Sequence, residues 1–206
     1  MAEIPVPPEF ARARRPDQKQ ARQAHLVSVA RALLADMTAA RLTLGEVAQH
    51  AGLAKSGVLR HVGSLEMLLL DCMYDEHLDW LAELRGAADV PTDGESLARL
   101  LAGSLGRRPV LCDLIRTAPT LVGELGQEQA ERARGYEEEV RAQLADVVSA
   151  FLTLSAKEAG LLVVAVHAVV GTCWAWTRAG DAFQLRFEAL ATELLKVFLS
   201  GLAGVP

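Results

Sequence analysis

The chain has 206 residues, 51% of them apolar and 23% charged, which is long enough to bury a sizeable core and too apolar for a disordered chain. Its net charge of −5 argues against a nucleic-acid binder until the distribution is followed: residues 1–61 hold nine Lys/Arg against five Asp/Glu, and residues 62–206 hold twelve against twenty-one. A basic head on an acidic body is what a phosphate-facing module carried by a regulatory domain requires, with chance asymmetry in a soluble protein as the plain alternative.

Residues 1–16 contain four prolines and the cluster Arg12, Arg14 and Arg15, so they are expected to form an arm. Its arginines either touch DNA or belong to a solvated basic tail. No apolar signal-peptide core is present in this stretch, and the protein is expected to be cytoplasmic. A first helix is predicted from Asp17 to about Met37, with Leu26, Ala30, Leu33 and Met37 as its inner stripe.

The stretch TLGEVAQHAGLAKSGVLRHV, Thr43 to Val62, reads as two short helices around a tight turn. Thr43 and Glu46 have the spacing of a capping box, in which the hydroxyl and the carboxylate satisfy free backbone N–H groups at the helix start. Leu44, Val47 and Ala48 share one face, and Gly52 can take the left-handed conformation that ends the helix. Leu53, Val58 and Val62 supply the inner face of the second helix and leave Lys55, Ser56, Arg60 and His61 outward. Two helices crossing over a short Gly-containing turn form a helix-turn-helix, whose second helix usually reads the DNA major groove.

Ser64 is the predicted N-cap of a fourth helix reaching about Arg85. A loop from Gly86 to Gly94 follows, then a helix from Glu95 to about Leu105 and a further short one from Val110 to about Arg116, ended by Pro119. A long helix from Gln127 to about Leu152 begins with a run of charges, read as a solvated face. Ala159 to Trp176 has no formally charged residue. A membrane span of that length is conceivable, but His167 and the lack of a basic flank argue against one. A helix apolar all round is expected to pack on its own subunit on one side and on a partner on the other. Gly160, Ala168, Gly171 and Ala175 would allow close approach. The last helix, about Ala182 to Leu202, is also more apolar than one core needs, with Phe183 and Phe187 near its start. Two such helices from each of two chains would make a four-helix dimer interface.

The head resembles the DNA-binding unit of the TetR family of transcriptional regulators. The resemblance runs from about Asp17 to about Leu69 and rests on Thr43, Val47, Ala48, Ala51, Gly52, Leu53, Ala54, Val58, His61, Ser64, Glu66 and Leu68. Leu59, Val62 and Leu65 stand where the family commonly has Tyr, Phe and a phosphate-binding Lys, and Arg60 is a substitute cation for that Lys. The resemblance implies an all-α fold of nine helices: a three-helix DNA-binding domain (17–62) and a six-helix ligand-binding and dimerisation domain (63–206). It also implies that Lys55, Ser56 and Gly57 face base edges, that Leu59 meets a thymine methyl, and that Thr43 and His61 contact phosphates. Thr43 can cap and contact phosphate at once. By the same resemblance an inducer binds between the fourth and eighth helices. The candidate pocket residues are Leu81, Leu101, Cys112, Ile115, Tyr136, Val140, His167, Val170 and Trp174, any of which could equally be plain core.

No Gly-rich phosphate loop, G-x-S-x-G, H-E-x-x-H or His/Cys cluster is present, so neither an enzyme nor a cofactor or metal is expected. Cys72, Cys112 and Cys173 are expected to be buried free thiols, with a redox sensor as the alternative. The sequence points to a homodimeric regulator, most simply a repressor released from a palindromic DNA operator by a small molecule, with no membrane partner. The alternative is a helical interaction protein that dimerises through its C-terminal helices and has lost specific DNA binding.

Overall fold

The computed structural model describes residues 16–87, 91, 93–177 and 186–203. The arm, with Arg12, Arg14 and Arg15, and the start expected for the last helix, with Phe183, lie outside the described residues. Among the described residues every regular element is helical. Three helices form the head: α1 (Pro16–Leu34), α2 (Leu44–His50) and α3 (Lys55–Val62). Six follow: α4 (Leu65–Arg85), α5 (Gly94–Gly106), α6 (Pro109–Gly123), α7 (Gln127–Phe151), α8 (Ala156–Thr177) and α9 (Phe187–Ala203).

Local sequence explains the head. Thr43 Oγ1 accepts from the Glu46 N–H at 3.2 Å while Glu46 Oε2 accepts from the Thr43 N–H at 2.8 Å, so the capping box forms from both sides. Gly52 sits at φ 65°, where a side chain would be strained. Gly63, at φ 83°, closes α3, and a Cβ there would come within 2.6 Å of Gln129 Nε2 on α7. Ser64 then caps α4 by accepting from the Met67 N–H at 3.1 Å.

Two expected boundaries are corrected. The first helix stops at Leu34, three residues before Met37, because the chain turns into a short 3₁₀ segment, Ala39–Arg41, whose Ala39 N–H is held by Asp113 Oδ2 of α6 at 2.8 Å. Pro119 does not end α6, which continues to Gly123. A proline inside a helix costs about 3 kcal/mol and frees the carbonyl four residues back, here that of Ile115. Leu114 and Leu121, both buried in the apolar cluster of the head, hold the helix on either side of it.

One apolar cluster fills the head and runs through Met67, Leu68 and Cys72 of α4 to Leu114 and Leu121 of α6. A second fills the body around Trp80, Leu81, Leu97, Leu101, Leu144 and Leu162. The α4 helix therefore belongs to both. Polar joints reinforce it: Arg31 of α1 pairs with Glu76 at 2.6 Å and Asp79 at 2.5 Å, and Gln23 Nε2 donates to Asp71 Oδ2 at 2.8 Å.

The α8 helix is long and apolar enough to cross a membrane by length and composition, but in this fold it packs on α6, α7 and α9. It leaves Leu161, Val164 and Trp176 exposed, and α9 leaves Leu194 and Val197 exposed. Ala168 and Ala175 lie on exposed positions, whereas Gly171 faces inward, its missing Cβ 3.7 Å from the Arg116 backbone. The close approach allowed by Gly171 is thus made to α6 of its own chain.

Candidate functional site

Lys55, Ser56, Leu59 and Arg60 occupy positions i, i+1, i+4 and i+5 of α3, a single outward stripe, and all four are exposed. Val58 and Val62 anchor the opposite side in the core. Gly57 is half-buried at the edge of this stripe, with Leu53 Cβ 4.0 Å from where its own Cβ would stand. His61 turns toward α1: burial pushes its imidazole down, and Arg22, Arg60 and Lys19 push it the same way. Lys19 and Arg22 thus join the basic face, which the apolar stripe of α1 did not reveal; their only signal was the excess of positive charge in the first 61 residues. The Thr43 hydroxyl is engaged, 2.8 Å from Glu46 Oε2.

In the body a cavity of about 570 Å³ opens between α4, α6, α7 and α8. Ile115, Tyr136, Val140 and His167 line it, as the sequence led us to expect. Leu81, Leu101, Cys112 and Val170 do not; they are fully buried in the body's apolar cluster. Their helices carry apolar residues on several faces, so periodicity could not say which face met the cavity. Trp174 lines a separate cleft of about 210 Å³ beside the turn after α1, and its ring meets Phe187 edge-on at 5.4 Å.

The polar content of the cavity was largely missed. His77 of α4, 2% exposed, meets His167 of α8 with their Nε2 atoms 3.0 Å apart. Tyr74 stacks on Tyr136 with ring centroids 4.2 Å apart. Arg134, Glu137 and Arg141 line the mouth from α7, within the charge run that reads as solvated. Burial pushes the His77 imidazole down to about 3, with His167 adding to the effect, and burial lowers His167 as well. All three cysteine thiols are buried and pushed up by that burial, which disfavours the thiolate on which thiol reactivity depends.

A line of contacts leads from cavity to head. Arg132 Nε donates to the Tyr136 hydroxyl at 2.9 Å and Arg132 Nη2 to Asp71 Oδ1 at 2.6 Å, while Gln23 of α1 holds the other Asp71 oxygen. Burial pushes the Asp71 carboxyl up, and Arg132, Gln23 and Tyr136 pull it down. A head helix is therefore joined to the cavity wall through one buried carboxylate.

Solved structures share this fold. A TetR-family regulator from Pectobacterium atrosepticum superposes with a TM-score of 0.63 at 14% identity, over 94% of this chain and 100% of its own. A TetR regulator from Rhodococcus gives 0.61 at 17% identity, over 90% and 99%. The fold is that of the TetR-family transcriptional regulators. The regulator FadR of Bacillus subtilis, solved in complex with stearoyl-CoA, also has the TetR-like fold seen here, at a TM-score of 0.59 and 12% identity over 86% of this chain and 98% of its own. No protein-family model and no curated protein matches the sequence.

Proposed function

We propose that the chain is a cytoplasmic, homodimeric, one-component transcriptional regulator: a repressor that leaves a palindromic DNA operator when a small molecule fills the cavity. The observation that carries this reading is the outward stripe of α3, Lys55, Ser56, Leu59 and Arg60, backed by Lys19, Arg22 and His61 on an otherwise acidic protein. In this reading the cations there contact phosphates and Lys55 reaches a base edge. Residues 17–62 act as the DNA-binding domain and 63–206 as the ligand-binding and dimerisation domain, with 1–16 as an arm.

Leu161, Val164 and Trp176 of α8, with Leu194 and Val197 of α9, form the apolar strip that a second copy would cover. A two-fold dimer carrying two heads reads half-sites about 34 Å apart, one helical repeat. The ligand acts by differential affinity for two head spacings. Its route is short: displacement of Tyr136 pulls on Arg132, Asp71 and Gln23 in turn. The walls are largely apolar, which suits an amphipathic molecule with a substantial apolar body. Stearoyl-CoA in the Bacillus subtilis protein is one example of that chemistry on this fold.

The test is selection of bound sequences from random duplex DNA at near-physiological salt. Enrichment of one palindrome is the expected result. Weak binding that disappears as salt rises, with no motif, would mean phosphate attraction only and would favour the interaction-protein reading. Val197→Glu combined with Leu161→Arg should give a folded monomer by light scattering; an intact dimer would move the interface elsewhere.

A further inference from the structure

Three short contacts meet in the wall between α4 and α8. His77 Nδ1 lies 2.9 Å from the Met73 carbonyl oxygen, His167 Nδ1 lies 2.9 Å from the Val163 carbonyl oxygen, and the two Nε2 atoms lie 3.0 Å apart. Each is a hydrogen-bond distance, and each needs one hydrogen. Two neutral imidazoles bring only two. If both rings carry the hydrogen on Nδ1, the two Nε2 lone pairs face each other. If one ring carries it on Nε2, that ring turns a bare Nδ1 toward its own helix carbonyl. The neutral pair is one proton short in every tautomer and complete with one proton added.

The surroundings say what could supply and hold that proton. The cavity that the pair borders takes Tyr74 from α4 and Arg134, Tyr136, Glu137 and Arg141 from α7, Glu137 acting on His167 directly, and the lining residues of α6 include no titratable group. Arg134 and Arg141 are exposed at the mouth, and no hydrogen bond or ion pair engages either among the described residues. Two cations against the single carboxylate of Glu137 favour an anion. Burial depresses both imidazoles, His167 even though the Val163 carbonyl and the Glu137 carboxylate pull it up, so the free protein does not keep the third proton at neutral pH. A second negative charge in direct contact with the pair would add to the pull of Glu137 and favour the protonated pair, because an opposite charge within about 4–6 Å favours the charged form.

We propose that the cavity takes an amphipathic carboxylic acid, its apolar body between α6 and α7 and its carboxyl group at the His77–His167 pair, bound together with one proton that completes the Nε2–Nε2 contact. This rests on the ligand-cavity reading above. The ligand enters as carboxylate and one proton is taken from solution, or enters as the neutral acid; the bound state is the same. Affinity must then fall by about tenfold per pH unit once the free acid is ionised. An alcohol of the same length cannot provide this, since its hydroxyl keeps its proton.

Decanoic acid, decan-1-ol and decyltrimethylammonium are titrated into the full-length protein by calorimetry between pH 6 and 8, in two buffers of different ionisation enthalpy. Decanoic acid is expected to bind at least about tenfold tighter than the alcohol at pH 6, with uptake of about one proton per ligand. His167→Leu and His77→Phe should bind it without that uptake. Should either variant fail to fold, ¹⁵N spectra of the wild-type histidines read the same event: a ring nitrogen of the pair that is bare in the free protein, Nε2 in one neutral tautomer and Nδ1 in the other, must move toward the protonated position on adding decanoate. Equal binding of the alcohol or the cation, or acid binding without proton uptake, overturns the proposal and leaves the cavity reading standing. If none of the three binds, the cavity reading falls and the proposal falls with it.

Discussion

In the head, Lys55, Ser56, Leu59 and Arg60 stand outside a helix anchored from behind by Val58 and Val62; in the cavity, His77, Tyr136 and His167 converge inward from three different helices. The head's polar groups keep their water and owe their placement to neighbours a few residues away. His77 in the cavity wall and Asp71 behind it have lost their water and depend on partners far along the chain, His77 on His167 and Asp71 on Arg132. A change in the head should therefore alter what the protein binds and leave its stability nearly untouched. A change in the cavity should alter stability as well as ligand response.

The sharpest way to break this contrast is Arg132→Ala. Asp71 is 4% exposed and would keep only the neutral donors Gln23 and Tyr136, with no cation beside it. Leaving a buried carboxylate without its cation should cost about 3 kcal/mol, read from the urea midpoint. Adding Asp71→Asn should recover part of the loss, because the uncompensated charge is gone. A variant within about 0.5 kcal/mol of the parent would place Asp71 among surface pairs and remove the joint between cavity and head.

Next in size is acid sensitivity. His77 is held down to about 3 in the folded protein against an unfolded value of 6.5, and His167 is lowered too. The unfolded chain therefore binds these protons first. The stability contributed is complete above pH 6.5 and is lost as the pH falls toward the folded values. From pH 6.5 to 5 the loss attributable to His77 alone is about 2 kcal/mol. Asp71, pushed up by burial, acts with the opposite sign, favouring the folded state at low pH. Comparing His77→Phe with the parent isolates the imidazole: its stability should be flatter over that range. Identical slopes would mean that the pair titrates normally.

The same contrast explains what the sequence could reveal. The Thr43–Glu46 box, the left-handed Gly52 and the Ser64 cap are local devices, and each appears in the structure where its spacing puts it. The all-helical fold follows from such signals repeated along the chain. Contacts between distant residues left no comparable trace. His77 and His167 are 90 residues apart, and nothing in either helix marks the other as a partner. Arg134, Glu137 and Arg141 looked like a solvated face because they are one, except that the face borders a cavity mouth. Pro119 read as a stop because its local cost is real, while the packing of Leu114 and Leu121 that outweighs it is tertiary.

On the head side, Lys55→Ala and Arg60→Ala should each weaken binding to the selected operator by about 1.5 kcal/mol, roughly tenfold. Both residues are exposed, so thermal stability should stay within about 0.5 kcal/mol of the parent and the oligomeric state should not change. Losing Lys55 should relax the preference at one base position if it reads a base edge. Losing Arg60 should weaken all sequences alike and flatten the salt dependence if it holds a phosphate. If either variant bound as well as the parent, that residue's place on the contact face would be wrong.

The smallest effect concerns Thr43, where the two regions' rules meet in one side chain. Its hydroxyl accepts from the Glu46 N–H and lies 2.8 Å from the Glu46 carboxylate, so it is already committed to the start of α2. Thr43→Ala should cost about 1 kcal/mol of stability, and Thr43→Ser should restore it because the cap oxygen returns. If capping is its whole role, operator affinity measured well below the melting temperature should hardly move in either variant. If affinity falls tenfold in Thr43→Ala and recovers in Thr43→Ser, the hydroxyl also meets a phosphate, and on binding it must turn from the Glu46 carboxylate to do so. Stability unchanged with affinity lost would reject the capping role, and with it the view that the head's contact face is set by purely local devices.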